Sequence, residues 1–184
     1  ITDLTDPQLT DAERAAIAFG ESLNVRLSET DILAQAMQRT GLSDFGPDDF
    51  RQRLRLLVDE WGGDPDLTGI GRLALQRHLV RYACNRLLIR DTLGRHPEIL
   101  DLQIDKPIVV AGLPRTGTTH LLNLMAADRR FRSLPLWESY EPVPLPGEAA
   151  PADGTDPRYQ RCADDWANMQ MMVPLLEAMH PMNP

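Results

Sequence analysis

Arg115, Thr116, Gly117, Thr118 and Thr119 stand in one unbroken run. A guanidinium, three hydroxyls and a residue without Cβ in such close order are the parts of an oxyanion cradle. The arginine brings a permanent charge and a rigid fork of donors, and the hydroxyls add more. Glycine takes positive φ, which lets backbone amides close on the anion. Such a run needs an element to aim it, and the flanking residues predict one. Ile108-Val109-Val110-Ala111 is a continuous apolar run that reads as a buried parallel strand. Gly112, Pro114 and Gly117 interrupt it, and the chain resumes from Thr118 through His120, Leu121 and Leu122 as a helix. Strand, loop and helix in that order direct the positive end of a helix dipole and its unpaired N–H groups at a phosphate.

The run nearly matches the nucleotide P-loop pattern G-x-x-x-x-G-K-[ST], with Gly112, Gly117 and Thr119 in register. Thr118 stands where that pattern has lysine. A triphosphate site needs the lysine and Mg²⁺, whereas a single phosphate carrying one transferable group can be met by an arginine earlier in the loop. Leu113-Pro114-Arg115-Thr116-Gly117-Thr118-Thr119 resembles the 5′-phosphosulfate-binding loop of the sulfotransferase family, usually P-[K/R]-[S/T]-G-T-T, in the arginine variant of its bacterial branch. The resemblance covers residues 106 to about 141. It implies 3′-phosphoadenosine 5′-phosphosulfate (PAPS) as donor and 3′,5′-ADP as product. It also implies donor binding by Pro114, Arg115, Thr116, Gly117, Thr118, Thr119 and His120, with Arg115 meeting charge on the bridging oxygen.

Glu138 lies 23 residues beyond Arg115, in Trp137-Glu138-Ser139-Tyr140-Glu141. It follows a short expected strand, Ser133 to Leu136, and so falls at the same sheet edge as the cradle. In sulfotransferases resembling this type, a glutamate at about this offset is the general base that takes the acceptor proton. Glu141 is the reserve. His180 is the rival base, since other members use a histidine well downstream.

Composition bounds the rest. The chain has 184 residues, 42% apolar and 25% charged, which is ordinary for a globular protein. A net charge of −8 argues against a general nucleic-acid surface, so any anion site must be local. Lys106 is the single lysine, so nearly every cation here is a guanidinium. No leader and no run of about 18 apolar residues is visible, and Cys84 and Cys162 show no paired spacing. The expectation is a reduced, cytoplasmic protein without a membrane span. No H-E-x-x-H or carboxylate cluster calls for a metal.

Residues 1–104 read as a mainly helical region, a cap that helps form the acceptor pocket. Thr10 and Glu13 form a capping box, Ser28 caps a second helix ending near Gly41, Pro47 to Gly63 hold a third, and a longer one runs from about Leu67 to Thr92 with Gly94 as its stop. Residues 105–184 then read as the first part of an α/β, P-loop-type parallel sheet, incomplete here, with the 3′-phosphate clamp absent. Prolines crowd residues 142–157. After them Asp156 and Pro157 start a last helix whose stripe is Tyr159, Cys162, Trp166, Met169, Val173 and Leu176. That stripe, with its methionines, could also face a lipophilic acceptor. The function expected is sulfuryl transfer to a hydroxyl or amine of a small molecule, with an oligomer left open. Its rivals are a P-loop kinase or NTPase and a non-catalytic helical interaction module.

Overall fold

The computed structural model describes residues 8–148, 154–172 and Leu176. Its axis is a long helix, α4 (Gly69–Arg95), whose N-cap Thr68 accepts from the amide of Gly71. Helix α2 (Glu29–Thr40) packs along α4 most extensively. Helix α1 (Asp11–Ser22) crosses nearer the start of α4, and α3 (Asp49–Gly63) lies against both α2 and α4. The core between them consists of Ile32, Leu33 and Ala36 of α2, Phe45, Leu54 of α3, and Leu79, Val80, Ala83, Cys84 and Leu87 of α4. Those α4 positions recur every three or four residues, which is the spacing of one helix face. Ile32, Val80 and Leu87 are fully buried, each favouring the fold by about 1.5–3 kcal/mol.

The local rules behind these helices are visible. The Thr10–Glu13 capping box forms, Ser28 caps α2, and Gly41 ends α2 in the left-handed conformation at φ 70°. The stop for α4 differs from the expectation. Gly94 lies inside the helix, which continues to Arg95 and ends at His96 before Pro97. Glycine in a last turn costs only its entropy, whereas proline disfavours helix in the residue before it. A short 3-10 turn, Pro97–Asp101, leads out.

Beyond it the structure departs from the expected sheet. No strand forms among the described residues. Pro107 to Ala111 is irregular chain, with Ile108 57% and Val109 81% exposed. A strand exists only through a neighbour that completes its hydrogen-bond ladder, and the described residues provide none. The expected strand at Ser133 to Leu136 is likewise absent, because Pro135 caps a short helix, α6 (Leu136–Tyr140), in its place. The cradle helix α5 (Thr118–Ala126) precedes it and packs only lightly on the other helices, whereas α6 rests on α7 (Pro157–Met172), which also touches α1. No described helix is long and apolar enough to cross a membrane. Cys84 and Cys162 are free, buried thiols, and burial pushes both up from the usual thiol range.

Candidate active site

The cradle is built by two left-handed residues. Arg115 sits at φ 68° and Gly117 at φ 87°. Together they turn the chain abruptly into α5. Thr116 Oγ1 donates to the carbonyl of Leu113 at 2.6 Å and closes the loop on itself. A Cβ at Gly112 would come within 2.8 Å of Thr116 Oγ1 and 2.9 Å of Thr118 Cγ2, so a side chain there would force one or both threonines to move. A Cβ at Gly117 would meet nothing within 4 Å. Its glycine is required by φ alone, and the space above it is open.

Gly117 is the N-cap of α5 and has no side chain to occupy the helix's first amides. The first intrahelical bond runs from Leu121 N to Gly117 O. The amides of Thr118, Thr119 and His120 therefore precede the ladder and point out of the helix end, where the dipole is positive. Arg115, Thr116, Gly117, Thr119 and His120 are exposed, and Thr118 is half-buried. An anion could reach every donor.

Glu138 lies on α6, not at a sheet edge. Its Oε2 receives a hydrogen bond from Arg132 Nη2 at 2.6 Å. The Arg132 side chain is 72% exposed and that of Glu138 only 21%. An ion pair with so exposed a partner is worth about 0–1 kcal/mol, so the pair opens readily. Arg130 instead turns back on Asp128, at 2.5 Å, and neutralises it. Of the three neighbouring arginines Arg129, Arg130 and Arg132, the last two are thus spent on local carboxylates.

Glu141, the reserve base, is fully engaged. Arg161 Nε and Nη2 reach its Oε2 at 2.9 and 2.5 Å, and Arg161 Nη1 also pairs with Glu148. The hydrogen bonds that Arg161 donates to Glu148 and Glu141 hold its guanidinium well above its ordinary value. Glu148 is held below the usual carboxylate range, chiefly by Arg161. Such a pair is a strut. His180 lies outside the described residues. Cradle residues 114–120 form one contiguous site, while Glu138 is carried separately by α6, whose contacts run to α7 and α4. Sequence reasoning missed Arg132, Arg158 and Arg161 as partners of this acidic segment. The i, i+3 spacing of Arg158 and Arg161 was a signal that they share a face, but periodicity does not say which acids meet it.

The family model described as "Sulfotransferase family" matches residues 107–184. Among solved structures, sulfotransferase STF1 from Mycobacterium tuberculosis H37Rv is 32% identical, with TM-score 0.66 over 80% of this chain and 40% of that one. Sulfotransferase STF9 from Mycobacterium avium is 35% identical, with TM-score 0.64 over 79% of this chain and 36% of that one. No curated protein matches. The chain spans well under half the length of these two structural relatives. Both likenesses take in far more than the short loop motif, and the family match begins at Pro107, where the chain enters the cradle. The chain is thus similar to the sulfotransferase family over residues 107–184, and to two mycobacterial sulfotransferases over 80% and 79% of its own length.

Proposed function

We propose that the cradle binds the 5′-phosphosulfate end of PAPS and that the protein transfers its sulfuryl group to a hydroxyl or amine of a small acceptor. The observation that carries this reading is the open N-terminus of α5, where the N-cap Gly117, two residues beyond Arg115 in the chain, has no side chain to cover the amides of Thr118, Thr119 and His120. A phosphate oxyanion matches that donor set in charge and in number of acceptors. The departing group carries two phosphoester charges at most on its 5′ side, which one arginine and a helix terminus can meet.

PAPS supplies the activated sulfur. The chain's own residues do the rest. The amides of Thr118, Thr119 and His120 hold the 5′-phosphate, and the hydroxyls of Thr118 and Thr119 add donors. Thr116 and Pro114 shape the loop. Arg115 stabilises the negative charge that grows on the bridging oxygen as the S–O bond breaks. Glu138 takes the acceptor proton as the acceptor–sulfur bond forms, leaving a sulfated acceptor and 3′,5′-ADP. The N-terminal helical region and α7 form the acceptor side, where the exposed Met169 and Met171 of α7 suit a lipophilic alcohol.

Isothermal titration of the full-length protein tests this. Binding of 3′,5′-ADP without Mg²⁺ is the expected result. Binding that requires Mg·ATP would replace this reading with a P-loop kinase or NTPase, and binding of neither nucleotide would leave a helical interaction module.

A further inference from the structure

Helix α6 has five residues, too few to hold a direction of its own. Its orientation is set by what it is tied to, and two arginines of α7 do most of the tying. The Arg158 guanidinium lies 4.7 Å over the ring of Trp137, the residue before Glu138. Its Nη1 donates to the carbonyl of Glu141 at 3.0 Å, which closes the C-terminal end of α6. Its charge is balanced at the start of α7 by Asp156, at 2.7 Å, and its side chain is only 12% exposed. Arg161, one turn further along, grips the Glu141 carboxylate and Glu148 together. On the other side, α4 completes the clamp. Asn85 Nδ2 donates to Tyr140 O at 2.8 Å, and Arg81 stacks 3.9 Å over the Tyr140 ring. The residues flanking Glu138 are therefore fixed on both sides, while the carboxylate of Glu138 itself accepts a hydrogen bond from the exposed Arg132 and feels the charge of Arg158.

We propose that Arg158 and Arg161 are positioning residues that hold α6, and with it Glu138, against the helical body. This rests on the reading of Glu138 as the base. It makes the site an assembly of two parts: the cradle presents the donor, and the arginine-pinned helix presents the base. Neither arginine touches the reacting atoms. Loss of either lets α6 shift, and a displacement of about 1 Å costs on the order of 100-fold in rate when a base must meet a proton in line. Donor binding should be spared, because the cradle shares none of these bonds.

The test compares Arg158→Gln, Arg161→Gln and Glu138→Gln, singly and in pairs, in the full-length protein. Expected is a loss of about 10- to 100-fold in kcat for each arginine variant, with 3′,5′-ADP affinity within about threefold of the parent. In the Glu138→Gln background the arginine changes should add little, because the group they aim is already gone. Arg161→Lys keeps the charge but not the forked grip, so it should recover part of kcat. It is also the variant to read if Arg161→Gln does not fold. An unchanged kcat in both arginine variants beside an inactive Glu138→Gln overturns the positioning role alone. That role falls equally if 3′,5′-ADP affinity drops in step with kcat, or if the arginine effects persist undiminished on Glu138→Gln. Full activity of Glu138→Gln removes the base reading and the positioning role with it.

Discussion

Replacing Gly117 with alanine isolates the cradle's backbone from its side chains. The added methyl meets nothing within 4 Å, so no contact is lost and none is forced. What remains is φ of 87°, which an L-residue with Cβ adopts at a cost of about 1–2 kcal/mol. The loop is exposed and α5 leans only lightly on the other helices, so the variant relieves its strain by rotating the loop. Binding must then reverse that rotation. The cost should therefore appear in donor affinity, as a weakening of 3′,5′-ADP binding by about 5- to 30-fold. Gly41→Ala is the matched control: φ there is 70°, the added Cβ is equally free of contacts, and the residue ends α2 beside buried Thr40. The body cannot rotate away at that point. Its penalty should appear as a fall in Tm of about 2–8 °C with nucleotide affinity intact. Calorimetry on both variants decides between these outcomes. If Gly117→Ala binds 3′,5′-ADP like the parent, or if Gly41→Ala weakens binding as much, the left-handed turn does not present the anion site.

Arg115→Ala should cut sulfuryl transfer by about 100- to 1,000-fold with a smaller loss of 3′,5′-ADP affinity, as read by initial rates and titration, and retained activity would remove its assigned role. Gly69→Ala drives a Cβ to 2.5 Å from the carbonyl of Gly20, where backbone meets backbone and neither helix can yield. It should cost about 3 kcal/mol and loosen the amides of α1 to hydrogen exchange, and a parental melting curve would refute the close crossing of α1 and α4. Glu29 ties Arg55 at 2.6 Å and Arg51 at 3.0 Å, and these bonds, Arg55 first, hold its carboxyl below the usual range. A depressed carboxylate contributes stability above its unfolded value and loses it as pH falls through the folded one. The stability gap between parent and Glu29→Gln should therefore be present at pH 7, at about 0.5–1 kcal/mol given the exposed Arg55, and shrink as pH falls below the ordinary carboxylate range, as read by melting curves across pH.

The cradle was legible in the sequence because its parts are consecutive. Gly117 announced a positive φ and a helix start with no capping side chain, but the left-handed Arg115 was not announced, because an arginine's type disfavours positive φ. The capped helices were legible for the same reason, since Thr10 with Glu13 and Ser28 with Asp31 are local bonds. The strand was not, because Ile108 to Ala111 is apolar in sequence but becomes a strand only with a partner beside it. The place of Glu138 was not legible either. Its offset from Arg115 indicated a role, but the bonds of Arg158 and Arg161 to a helix some twenty residues earlier join segments whose meeting no local pattern encodes. Short-range chemistry belongs to the sequence. Which charges neutralise one another is decided only when distant helices pack and set their side chains face to face.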